Sequence, residues 1–182
     1  MNTASPPAGP STATTSQVVA FQLAGQTYAF RIERIQEIIT PGKVTVIPEV
    51  PAYVAGVGNL RGTIIPIVNL RLLFGHPDRP LDAASRTIVV NVGPRVMGCT
   101  VDSVTQVMRI AADQIHPAPE AVAAGGPRYI EGFVRVHEDL VILLDVGNLL
   151  DPALLEGVHA ASLSHAHPPR PPAAPAATEG TP

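Results

Sequence analysis

Lysine is almost missing from this chain: Lys43 stands alone among 182 residues, tryptophan is absent, and aromatic side chains make up only 4%. With a net charge of -3 and both signs dispersed, the sequence carries no basic patch of the kind that holds nucleic acid or an anionic membrane surface. Cys99 is the sole cysteine, which excludes an internal disulfide and a thiolate framework for zinc. Set in an apolar run, it reads as an inert core thiol, and a reducing cytoplasm suits it. The N-terminal M-N-T-A-S-P-P-A-G-P lacks the basic start and apolar core of a signal peptide. No apolar run approaches the roughly 20 residues that span a bilayer, so direct membrane insertion is not expected.

Catalytic patterns are equally sparse. His76, His116 and His137 are scattered, and His165 and His167 fall in a Pro/Ala-rich tail, so local spacing assembles no ligand set. Nothing resembles the G-x-S-x-G context of an activated serine. The run from Gly56 to Gly62 has its third glycine one place too late for dinucleotide binding, and no βαβ unit surrounds it. The expectation is a non-enzymatic protein without cofactor or metal, whose partners are other proteins.

What the chain does have is a hydrophobic share of 46% between two low-complexity tails. Residues 1–16 and 158–182 bury too little apolar surface to offset ordering entropy and are expected to be disordered. Between them the pattern is mainly β. Val18 to Leu23 and Gln26 to Ile32 alternate around Ala24-Gly25 as a hairpin would. Glu33 to Ile39 suits a helical turn or a twisted strand. Ile64 to Leu70 is rich in β-branched residues but contains Pro66, which favours an edge or bulged position. Leu70 to Phe74 could close the half as a short helical turn, capped by Asn69.

The pattern then begins again. Subtracting 69 lays Ile88–Pro117 on Val19–Pro48 without a gap, and subtracting 76 lays Tyr129–Leu150 on Tyr53–Phe74. The first offset pairs Val104 with Ile35, Val107 with Ile38 and Ile115 with Val46; the second pairs Gly132 with Gly56 and Asp145 with Asn69. The difference falls in the Ala/Gly-rich loop around Ala121–Pro127. A divergent internal duplication follows, each half giving about five short strands. The expected fold is all-β: two pseudo-repeated five-stranded barrels, roughly 17–80 and 86–150 and possibly interlocked. A domain of about 60 residues is marginal alone, so the two would share a core.

Val57 to Gly62 reads V-G-N-L-R-G and precedes a short apolar strand; I-Q-E-I lies upstream, G-x-x-V-D-x-V spans Gly98–Val104, and Q-I-x-P-A-P spans Gln114–Pro119. In order and spacing these resemble the CheW-like domain family of bacterial chemotaxis, over about Val18 to Leu155 and placed here at 17–157. The resemblance implies two SH3-like barrels around a common core. It also implies a cytoplasmic, non-enzymatic adaptor that couples the cytoplasmic tip of chemoreceptors (methyl-accepting proteins) to the regulatory domain of a CheA-type histidine kinase, recruited to the inner membrane face through receptor arrays. The alternative is a regulatory scaffold in a non-flagellar receptor-kinase pathway serving pilus motility or second-messenger control.

Two residue groups become candidates. Glu37, Gly56, Asn59 and Arg61 would form a contact for the kinase or array, with Glu37 matching a glutamate of the family pattern and lying close to Arg61. The plain alternative for Arg61 is a solvated surface charge. Ile35, Gly98, Val104 and Val107 would line a receptor groove between equivalent strand faces; branched aliphatics at such spacings can equally be core. Asn69 departs from the aspartate common in the family at that place, while Asp145 keeps it.

Overall fold

A computed structural model of the chain describes residues 15–119 and 128–150. The loop around Ala121–Pro127, the end of the expected domain beyond Leu150 and the expected tails lie outside these residues, except that Thr15 and Ser16 already belong to the first strand. The described elements are β1 (Thr15–Leu23), β2 (Gln26–Arg31), β3 (Ile35–Ile39), β4 (Val44–Thr45), β5 (Val54–Leu60), β6 (Thr63–Asn69), α1 (Leu70–Leu73), β7 (Arg86–Val92), β8 (Arg95–Val101), β9 (Ser103–Ala111), β10 (Ile115–His116), β11 (Ile130–Val136), β12 (Asp139–Leu144) and α2 (Val146–Leu149).

The hairpins form where the turn chemistry demands them. Ala24 and Gly25 both adopt positive φ, +50° and +82°, the backbone that matches the twist of two antiparallel strands, and β1 pairs with β2 across them. The ambiguous stretch before Ile39 resolves into both readings in sequence: Ile32–Arg34 make one 3-10 turn, and β3 follows extended. Asn69 and Asp145 cap α1 and α2 in the same way, each Oδ1 accepting from the backbone N–H groups two and three residues on.

The strands form two sheets, ordered β10-β11-β12-β2-β1-β9 and β3-β7-β8-β6-β5-β4. Each holds five strands of at least five residues and one of two residues, β10 or β4. The outermost strands of each sheet are consecutive in the chain, β9 with β10 and β3 with β4, so each sheet must curl until its ends meet. The result is the expected pair of SH3-like barrels.

The repeat units do not coincide with the sheets. β1 and β2 of the first half join β9–β12 of the second, while β7 and β8 of the second join β3–β6 of the first. The exchange is reciprocal, because β12 runs parallel to β2 as β6 runs parallel to β8, and β1 pairs with β9 as β7 pairs with β3. One central core therefore draws on both: Phe21, Leu23, Phe30 and Leu144 from one barrel pack with Val68, Ile88, Val90 and Met97 from the other. Smaller clusters around Ile110 and Leu143, and around Ile65 and Ile67, fill each barrel separately.

The duplication shows in detail as well as outline. Strand β3 carries a register shift between Ile35 and Glu37, and the β1–β9 pair carries one at the corresponding place, with Phe21 opposite Val104 and Ala20 opposite Gln106. One correspondence fails. Ile115 pairs with Val134 where Val44, not Val46, pairs with Gly58, so the offset slips by two residues and Val46 is left 78% exposed. Pro66 also needs a refinement: β6 lies inside its sheet, but β8 pairs with it only from Ile67 onward, so Pro66 occupies a stretch with one neighbour.

Candidate functional site

The β5–β6 hairpin turns through Arg61 and Gly62, with φ of +51° and +91°. A left-handed arginine costs about 1–2 kcal/mol of backbone energy, which Gly62 avoids. Asn59 secures the turn, its Oδ1 accepting the N–H of Gly62 at 2.7 Å. Held this way, the Arg61 side chain is 79% exposed, and its Nη2 donates to Glu37 Oε2 at 2.9 Å. Glu37 reaches it from β3, a strand far from β5 in sheet order that barrel closure brings near. The structure thus unites Glu37, Asn59 and Arg61.

Gly56 stands apart. It is buried with φ of +136°, and a Cβ there would lie 2.1 Å from the carbonyl oxygen of Thr45. Its place serves the close approach of the chain at the end of β4 to β5 and offers no surface, as does that of Gly132, whose Cβ would come within 2.8 Å of the His116 carbonyl oxygen.

Of the groove candidates, Ile35 and Val104 are half-buried at equivalent positions and pack against the central core. Val107 is 56% exposed. Gly98 is buried inside its barrel, with Ile67 Cδ1 2.6 Å and Thr87 Cγ2 2.9 Å from where a Cβ would sit; it is a packing position instead of a groove residue.

Several features went unnoticed in the sequence. A recess of about 150 Å³ beside the turn is lined by Gln36, Leu60, Arg61, Thr63, Ile65 and Val96. Exposed Ile64 and Leu140 are repeat mates, so the same offsets that paired the groove candidate Val107 with Ile38, also exposed, could have flagged them. Their persistence on both copies departs from the polar outer face expected of a half-buried strand. Arg71 and Asp102 also escaped notice: Nη1 donates to Oδ2 at 2.5 Å, each side chain only 14% exposed, and the same oxygen accepts the N–H of Ala24. No cluster among the described residues could hold a metal, and none of their helices is long and apolar enough to cross a membrane.

Interlocked barrels with an exposed, oriented charge on a tight turn and apolar side chains on outer strand faces define a protein-contact module. The CheW-like domain profile matches residues 17–153. The chain belongs to the CheW-like domain family. It is 36% identical over 149 residues to the chemotaxis protein CheW of Klebsiella aerogenes, covering 82% of this chain and 90% of that protein. The Helicobacter pylori chemotaxis protein CheW is 34% identical over 134 residues, or 74% and 81% of the two chains. Among solved structures, the scaffolding protein TtCheW of Thermoanaerobacter tengcongensis superposes with a TM-score of 0.69 at 30% identity, covering 76% of this chain and 89% of that one.

Proposed function

We infer that the protein is a chemotaxis adaptor that couples chemoreceptors to a CheA-type histidine kinase through binding alone. The observation that carries this reading is Arg61. An exposed ion pair contributes about 0–1 kcal/mol to stability, yet here it is held at a turn with unfavourable backbone, braced by Asn59 and aimed by Glu37. An arrangement of that kind returns little to the fold and much to a partner, since charge geometry sets specificity. The recess beside it offers a seat for a partner's apolar side chain. The kinase regulatory domain is assigned to this face. The β3 and β9 faces with Ile35, Val104 and Val107 are assigned to the receptor tip at the inner membrane face. Each contact can be weak, because an array multiplies them through effective concentration. Relatives named as chemotaxis proteins favour this pathway over pilus or second-messenger control.

The test is co-sedimentation of the full chain with receptor and kinase fragments. Arg61→Ala is expected to melt with the wild type and lose the kinase fragment while retaining the receptor; Val104→Asp is expected to do the reverse. Retention of both partners by folded Arg61→Ala would remove the assignment of the turn.

A further inference from the structure

The two barrels differ at one set of repeated positions. In the barrel containing β1 and β2, Arg31 on β2 and Glu131 on β11, the two strands that flank β12, form an ion pair, Arg31 Nε donating to both carboxylate oxygens at 2.9 and 3.0 Å and Nη1 to Ser16 Oγ at 2.8 Å. The repeat offsets carry Arg31 to Thr100 and Glu131 to Ala55, and the interior Val134 to Gly58. Thus the ion pair and the valine of one barrel are replaced in the other by three small residues. All three line a cavity of about 310 Å³ in the barrel containing β7 and β8. That volume lies at the lower end of the roughly 300–1,000 Å³ typical of small-molecule sites.

The cavity is roofed by the chain after α1, which is pinned from both sides. Asn69 Nδ2 donates to Asp78 Oδ1 at 2.9 Å, Arg71 Nε donates to the Pro77 carbonyl at 3.0 Å, and Asp82 accepts from the Ser85 N–H and hydroxyl at 3.0 and 3.1 Å. Below that segment, Ile39, Val44, Leu60, Ile65 and Ile67 make the walls apolar, and Leu81 adds an apolar side chain from the segment itself. The charged residues that line the cavity are Lys43, Arg79 and Asp78. Arg79 pairs with Asp82, whereas Lys43 has no hydrogen bond or ion pair among the described residues.

We propose that this cavity binds a small amphipathic monocarboxylate, its hydrocarbon body between the barrel walls and its carboxylate at Lys43. The chemistry follows from the lining. An apolar body gains from leaving water among aliphatic side chains, and a single anionic head complements the unpartnered ammonium. The cavity shares Asn59, Leu60 and Ile65 with the Arg61 turn and its recess, but Arg61 and Glu37 do not line it, so Lys43→Gln tests the proposal without touching the pair that carries the adaptor reading.

Octanoate is the probe, titrated into the full chain and followed by calorimetry and by methyl NMR of Ile39, Ile65 and Ile67. Saturable binding with shifts at these methyls is expected, weakened up to about fivefold in Lys43→Gln, where only an exposed charge contact is lost. Grafting the sister barrel's ion pair as Ala55→Glu with Thr100→Arg should abolish binding while circular dichroism stays native. Should that pair not fold, Ala55→Leu fills the same space without charge and should also abolish it. Absence of saturable binding, undiminished binding in a folded filled variant, or octanol binding as tightly as octanoate would overturn the proposal.

Discussion

Gly56 and Gly62 separate two reasons for a glycine. Both have positive φ, but only at Gly56 would a Cβ strike backbone, 2.1 Å from the Thr45 oxygen; around Gly62 nothing lies within 4 Å. Gly62→Ala is expected to cost about 1 kcal/mol from backbone strain alone. Gly56→Ala must also displace β4, and a loss of about 3 kcal/mol or more is expected, in the range of strained or overpacked core changes. Denaturant unfolding of the two variants checks the contrast; equal losses would refute the account of Gly56. Cys99 gives a second residue-scale expectation. Burial pushes its thiol up to about 12, far above an unfolded cysteine. The folded state therefore holds the proton that the unfolded state releases, so this contribution is intact below about pH 8.5 and is lost as pH rises toward the folded value. Alkylation should be negligible in the native protein at pH 8.5 and rapid in denaturant.

At the scale of elements, the Arg71–Asp102 pair fastens one barrel to the other. Asp102 is the single residue between β8 in one sheet and β9 in the other, and its carboxylate joins α1 to the β1–β2 turn through Arg71 and the Ala24 N–H. Arg71→Ala strands a largely buried carboxylate, and a loss of about 2–4 kcal/mol is expected in thermal or denaturant unfolding. Asp102→Asn in the same background should recover part of it, because the amide leaves no uncompensated charge. The elements themselves were largely legible in the sequence. Alternation gave the β1–β2 hairpin, Asn69 marked the start of α1, and the second offset aligned Tyr129–Leu150 with Tyr53–Phe74 through strands, turn and the cap that passes from Asn69 to Asp145. Glu37 beside Arg61 was also anticipated, through the family pattern. What stayed hidden were contacts that local periodicity cannot encode. Arg71 and Asp102 lie 31 residues apart and Arg31 and Glu131 lie 100 apart, each pair meeting only after strands have changed partners. Gly56 and Gly98 looked like surface candidates because a glycine's sequence signal is the same whether backbone or solvent lies beside it.

For the whole molecule, reciprocal exchange decides how the chain can unfold. Severed near residue 83, the first half would keep β1 and β2 but lose β9 and β12, the neighbours on either side of that hairpin; the second half would keep β7 and β8 but lose β3 and β6. Each fragment would expose its share of the central core, Phe21, Phe30 and Val68 in one and Ile88, Val90, Met97 and Leu144 in the other. Small domains of about 60 residues are marginal even with their own cores intact, so neither fragment is expected to fold alone. The intact chain should unfold in one transition, with calorimetric and van't Hoff enthalpies in agreement, because neither barrel closes without strands from both halves. Mixing the two purified fragments should restore the β-sheet circular dichroism and the NMR dispersion of the whole, with a concentration-dependent midpoint. Two resolved transitions in the intact chain, or a folded first fragment by itself, would mean that the exchanged strands do not couple the barrels. Coupling of that kind matters for an adaptor. The Arg61 turn sits on β5–β6 and Val104 on β9, in different barrels joined through one core, so the spacing between the two assigned partner faces is fixed by the same packing that holds the chain together.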